Sequence, residues 1–549
     1  MNRSLWVANA LLLAVLSACS PESSDSNQSA ATGSTTSGSS TSENTTSGGS
    51  DSAPGSTENS SGGGAESPSA NDGSNTNGTS TDVIIPSPMP VPSEPTQPAN
   101  WFYFSYDDSG SSAARDLTLF SLENGIRPRV EYGRAYEFLN AETFEHFDPM
   151  QYGPFDLSFG MQEETDLVAE SATYTLGVNL SGPVMTQEER PNVVLTILQD
   201  ISGSMNSRYA IEVRQDVKTL LDVSQYGLTQ LKDSLKTGDV INLVTFDSSA
   251  QIELEAFAVV RNADGLDNEH LYQEAVDNLS VSGSTNLDEG IRLAYQVAQR
   301  NYDAEKANRV VILTDAYANT GEVNANIIAQ NTTINSSEGI YFAGIGIGSM
   351  FQDAFLNELT DIGKGPYMAM ITPEDAQNIF GTGFMRFIDS AVADVRFKLE
   401  FPASLSHDGS AAEEVSENAE DVQTINFSYN DSQLFLEHFL GSDVLNASDT
   451  FTLTIEYKDD QGVAQSIEVK KTVAEMLGKG SDTISTATAV VTLADLVSQK
   501  TDCATVLDGP VFAETNEELV PSRLSDYRGY IKQFCNMKPG EIVYPDQPF

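Results

Sequence analysis

Asp200, Ser202 and Ser204 occupy alternate positions in Asp200-Ile201-Ser202-Gly203-Ser204-Met205, just after the apolar run 193–198. A carboxylate and two hydroxyls spaced this way in a loop can converge on one hard cation, which takes oxygen ligands. Two distant segments offer the same donor types. Gly283-Ser284-Thr285-Asn286 opens a helical stretch near Leu287, and Leu313-Thr314-Asp315 closes the apolar run 309–313. The spacing alone is weak evidence, because Asp107-x-Ser109-x-Ser111 repeats it. No comparable partners accompany that second copy in the sequence, and Asp107 reads as a turn residue. In an open α/β sheet, ligands gather at the carboxyl ends of strands where the strand order reverses. Asp200 and Asp315 both stand at such ends, with Thr285 in a neighbouring loop.

The elements that must position these residues follow from hydropathy. Residues 193–198, 240–246, 309–313 and 340–347 are continuous apolar runs, the pattern of strands buried on both faces of a parallel sheet. Helical stretches separate them at 225–235, 287–300 and 375–394, so this region reads as a doubly wound α/β domain. Strict alternation appears on either side of it. Tyr174, Leu176, Val178 and Leu180 alternate with small or polar residues, as do Phe397, Leu399 and Phe401, then Ile425, Phe427 and Tyr429, then Phe451, Leu453, Ile455 and Tyr457. Period two with one apolar face marks half-buried antiparallel strands. The expected architecture is therefore an α/β fold: a mostly parallel, Rossmann-like sheet inserted into a β-sandwich-like domain.

The chain has 549 residues, with 79 Asp and Glu against 29 Lys and Arg, a formal net of −50. Residues 99–549 alone hold 70 acids and 28 bases, a net of −42. Such a body repels phosphate backbones and anionic headgroups, which argues against nucleic-acid binding. Three cysteines exclude a disulfide scaffold, and four histidines (146, 270, 407 and 438) leave little scope for His-based metal catalysis. No dinucleotide loop, Walker lysine, nucleophile elbow or H-E-x-x-H occurs in the folded part.

The first residues read as an address. Arg3, an apolar stretch over 5–16 and Leu16-Ser17-Ala18-Cys19 describe a secretory leader too short to span a membrane. The last four residues resemble the bacterial lipobox, which implies a signal peptide over 1–18 and lipidation of Cys19. Ser20 in place of an inner-membrane-retaining Asp favours the outer membrane. Residues 19–98, rich in Ser, Gly, Thr, Asn and Pro, cannot bury enough apolar surface to fold. They are expected to form a flexible tether reaching roughly 50 Å.

Together, Asp-x-Ser-x-Ser, Gly-Ser-Thr-Asn and a strand-terminal Leu-Thr-Asp resemble the metal-ion-dependent adhesion site of von Willebrand factor type A (VWA) domains. Residues 312–321, 343–348 and 102–147 are similar to bacterial VWA lipoproteins, and the resemblance covers 99–500, most strongly 191–372. It implies that Asp200, Ser202, Ser204, Thr285 and Asp315 hold Mg²⁺ or Ca²⁺, directly or through water. The ion would accept a carboxylate from a protein partner, which makes the chain an adhesion or envelope-assembly module and not an enzyme. A structural envelope spacer with a metal-stiffened or vestigial site is the alternative. A metal-dependent hydrolase stands behind both, since no His lies within the motif loops to act as general base.

Two departures qualify the match. Ala316 replaces the usual glycine after the last Asp, and about ten extra residues fall near 206–224. The expected organisation is an N-terminal segment over 99–190 contributing strands to the β-rich domain, the VWA domain over 191–396, further β-rich sequence over 397–475 and a helical segment over 476–549. Cys503 and Cys535 are expected to pair in an exported chain. The acidic run 413–421 reads as a solvated loop or, alternatively, a low-affinity Ca²⁺ site.

Overall fold

A computed structural model describes residues 100–166, 171–208, 217–317, 339–441, 445–459, 462–512 and 520–537. The leader, Cys19 and the tether lie outside these residues, as do 209–216 of the extra segment.

The four apolar runs become strands of one six-stranded sheet, ordered Tyr367–Met370, Ile340–Ile347, Ala307–Thr314, Val193–Asp200, Val240–Phe246 and Ala250–Ala258. The first five are parallel, and Ala250–Ala258 adds an antiparallel edge. Every residue of Val193–Asp200 is buried, as expected for a strand covered by helices on both faces. The chain leaves Val193–Asp200 toward Val240–Phe246 on one side and returns to Ala307–Thr314 on the other. The strand order therefore reverses between the strands that end at Asp200 and Thr314.

Two antiparallel sheets form the β-rich part. One is ordered Glu414–Ser416, Asn100–Ser105, Ser390–Phe401, Thr450–Lys458 and Ala464–Thr472, with Ile425–Ser428 also pairing with Ser390–Phe401. The other is ordered Leu405–Ser410, Ser432–Gly441, Ser171–Ser181, Phe155–Asp166 and Met150–Tyr152. Asn100 pairs with Phe401 and Phe104 with Phe397, so the strand before the α/β region and the strand after it are neighbours. Aromatic rings join the two sheets: Phe435 meets Phe397 at 4.6 Å and Phe104 at 5.1 Å between centroids, edge-to-face geometries that ring pairs favour.

The helix Ser481–Val497 lies on the second sheet, and Gly177 permits the approach. A Cβ there would stand 2.7 Å from Ile484 Cγ1. Cys503 and Cys535 form a disulfide, with Cα atoms 5.6 Å apart, joining the helices Cys503–Leu507 and Ser522–Asn536.

Three local expectations need correction. The helix expected at 225–235 spans Leu220–Ser234, because Thr219 and Asp222 form a capping box five residues earlier. The helical stretch expected over 375–394 is broken into Pro373–Gln377, a π-type turn Asn378–Thr382 and Phe384–Ile388. Gly381 and Gly383 fall in and just after the turn, and from Ser390 the chain is already a sandwich strand. The run 413–421 is not merely a loop: Glu414–Ser416 pairs with Asn100–Ser105.

Candidate metal centre

Asp200 ends its strand and is fully buried. One carboxylate oxygen, Oδ1, accepts the backbone N–H of Ser202 at 2.8 Å, and Oδ2 accepts the Thr314 hydroxyl at 2.6 Å. The chain then makes a short 3₁₀ turn, Gly203–Asn206. The hydroxyls of Ser202, just before the turn, and Ser204, within it, lie 3.1 Å apart, and Ser204 Oγ donates to Asp315 Oδ1 at 3.0 Å. Asp315 follows the adjacent strand, and its Oδ1 also accepts the Tyr317 backbone N–H at 3.4 Å. Neighbouring parallel strands thus place two carboxylates and two hydroxyls in one hydrogen-bonded group.

Thr285 arrives by the third loop. Gly203 N–H donates to the Gly283 carbonyl at 3.2 Å, and Ser282 N–H donates to the Ile201 carbonyl at 2.8 Å, so the loops bearing Ser202 and Thr285 are laced together. Gly283 takes φ +62°, and a Cβ on it would stand 2.8 Å from Asp247 Oδ2. Only glycine fits that approach. Thr285 is 1% exposed, and Asn286 caps the helix Leu287–Arg300 by accepting the Glu289 N–H.

The electrostatics suit a cation. Burial and the nearby Asp315 carboxylate push Asp200 up to about 7, and burial likewise raises Asp315. Two like charges in a water-poor pocket repel their own ionisation, and a divalent ion would supply the missing positive charge. The donors are carboxylate and hydroxyl oxygens, which fit Mg²⁺ or Ca²⁺. Arg129 lies near enough to Tyr317 to lower its hydroxyl pKa against the upward push of burial, which puts a basic group beside the Asp315 loop.

Ala316 occupies φ +59° and is buried. The glycine usual at that position suits a left-handed backbone, and here an L side chain adopts it.

Sequence reasoning overlooked Thr314 and Asp247. Thr314 is a fully buried hydroxyl that orients Asp200. Asp247 follows the strand Val240–Phe246 and accepts the Asn286 N–H on its carbonyl at 2.6 Å. The strand-end rule that found Asp200 and Asp315 also points to Asp247.

The second Asp-x-Ser-x-Ser behaves differently. Asp107 does turn the chain, at φ +61°, but it has partners the sequence did not reveal: its carboxylate lies with those of Asp361 and Glu413, oxygens within 4.8 Å of one another. The hydroxyls face elsewhere. Ser109 Oγ accepts Ser428 N–H at 2.9 Å and Ser111 Oγ accepts Tyr367 N–H at 3.1 Å. That loop splices the sandwich to the edge of the central sheet.

A family model described as "von Willebrand factor type A domain" matches residues 195–318. The chain is 27% identical over 227 residues to the uncharacterized protein YfbK of Escherichia coli, a match covering 41% of this chain and 36% of that protein. It thus spans about a third of that relative's length. Among solved structures, a von Willebrand factor type A protein of Catenulispora acidiphila is 14% identical, covering 63% of this chain and 80% of its own, with a TM-score of 0.37. Proximal thread matrix protein 1 of the mussel byssus, solved with a zinc-occupied MIDAS motif, is 17% identical, covering 35% of this chain and 45% of its own, with a TM-score of 0.27. Among the described residues, no helix is long and apolar enough to cross a membrane.

Proposed function

We propose that this chain, which carries a von Willebrand factor type A domain, binds a protein partner through a divalent cation, Mg²⁺ or Ca²⁺, held by Asp200, Ser202, Ser204, Thr285 and Asp315. Domains of this type are protein-interaction modules. When bound, the ion supplies a Lewis-acidic point to which a partner's Asp or Glu can bind. The chain's own residues do the rest. Thr314 and the Ser202 N–H fix the two oxygens of Asp200, and Ser204 ties Asp315 to the same loop. Two carboxylates neutralise a divalent ion without overcharging it, so a third carboxylate from outside remains welcome.

The observation that carries this reading is the convergence of Asp200, Ser202, Ser204 and Asp315 where the strand order reverses. The body's net charge of −42 adds a reason for the ion. An acidic partner is repelled at range, so a local positive site decides where contact is made. The site has no need of a general base, and we assign no enzymatic activity. Lipidation at Cys19 would hold the domain at the cell envelope, on the outer membrane, at the end of the 19–98 tether.

Pull-down from envelope extracts tests the interaction. Capture of a partner that EDTA and Asp200→Ala both abolish, with the fold retained, is the expected result; capture that survives both overturns the metal bridge. Cys19→Ser should release the protein into the soluble fraction.

A further inference from the structure

Arg134 precedes the short helix Ala135–Asn140, in the segment before Val193–Asp200, the first strand of the α/β domain, yet its guanidinium reaches into that domain. Nη1 and Nη2 donate to Oδ2 and Oδ1 of Asp353 at 2.7 and 2.8 Å, and Nε donates to Glu137. The Tyr367 hydroxyl donates to the same Asp353 Oδ1 at 2.7 Å. Asp353 and Glu137 are almost wholly buried. A planar fork closed on a carboxylate is the most directional ion pair a protein can make.

Asp353 is the first residue of the helix Asp353–Gly363. The residue before it, Gln352, donates its backbone N–H to the carbonyl oxygen of Asp315 at 3.0 Å. A second stitch lies alongside: the Tyr317 hydroxyl donates to the Met350 carbonyl at 2.6 Å. The loop carrying Asp315 is thus fastened to 350–352, and the far end of that fastening is gripped by a residue from another part of the chain.

We propose that Arg134 is a positioning residue for the metal centre. Its grip on Asp353 sets Gln352, and Gln352 sets the backbone of Asp315, so cation affinity is coupled to docking of the segment around Ala135–Asn140. The proposal rests on the metal-binding reading above. Coupling between two sites is reciprocal: the cation must tighten docking by the factor that docking tightens the cation.

Arg134→Ala would strand two buried carboxylates and endanger the fold. Arg134→Lys keeps the charge but loses the fork, and Asp353→Asn keeps the shape but loses the ion pair. Mg²⁺ titration calorimetry and amide hydrogen exchange on the full chain read both. In EDTA, the Gln352 amide should exchange about tenfold faster in either variant, while amides of Ala307–Thr314 stay unchanged. Mg²⁺ affinity should fall about fivefold or more, the usual scale of such coupling. In the wild type, Mg²⁺ should slow exchange in Ala135–Asn140, and in the variants it should not. A folded variant with wild-type Mg²⁺ affinity overturns the positioning role and leaves the metal reading intact. A wild-type chain that takes up no Mg²⁺ overturns both.

Discussion

The hydroxyl of Ser204 donates to the carboxylate of Asp315 across 3.0 Å, although 111 residues separate them. That contact joins the ends of two adjacent parallel strands and sets two buried acids side by side. A fold pays a penalty for such a pair unless a cation joins it. In EDTA at pH 8, Asp315→Asn should therefore be more stable than the wild type, and in millimolar Mg²⁺ the order should reverse. Denaturant unfolding in the two buffers measures this.

The same pair fixes the direction of a pH effect. Asp200 titrates near 3.8 when unperturbed and near 7 in the fold. Below the lower value it is protonated whether folded or not, so nothing is lost on folding. As pH rises toward 7, the unfolded chain releases the proton more readily, and metal-free stability falls. The rise in Tm on adding Mg²⁺ should accordingly be larger at pH 8 than at pH 5. An equal rise at both would contradict the assignment.

Glu413 offers a second titration, outside the proposed metal centre. Burial, and after it the Asp361 carboxylate, push it from 4.5 up to about 8. Its contribution is undiminished below 4.5 and is lost as pH climbs through 8. Glu413→Gln should gain stability over the wild type across that interval and hold a constant lead above it, as read by urea midpoints in EDTA.

Ala316 holds a left-handed conformation that costs an L residue about 1–2 kcal/mol. Part of that returns as unfolded-state entropy when glycine is introduced. Ala316→Gly should stabilise the domain by about 0.5–1 kcal/mol by denaturant unfolding, and Ala316→Val should destabilise it.

Much of the site was legible because strand ends are legible. A buried run such as 193–198 needs no partner to be recognised, and Asp200, two residues beyond it, is placed at the sheet's carboxyl edge by topology. Tyr367–Met370 escaped notice because four residues are too few for a period to show. The grip of Arg134 on Asp353 bridges 219 residues, and no local pattern in either segment announces it. Glu413 reaches Asp107 because Glu414–Ser416 pairs with the first strand, and Asp361 joins them from the helix Asp353–Gly363. Contacts made by docking, unlike those made by periodicity, appear only in three dimensions.

Crystals soaked in Mn²⁺ and measured at its absorption edge test the central claim most directly. The account predicts one anomalous peak among Asp200, Ser202, Ser204, Thr285 and Asp315, with ligand oxygens about 2.1–2.3 Å away, absent from Asp200→Ala crystals. No peak there, or a peak only among Asp107, Asp361 and Glu413, would contradict it.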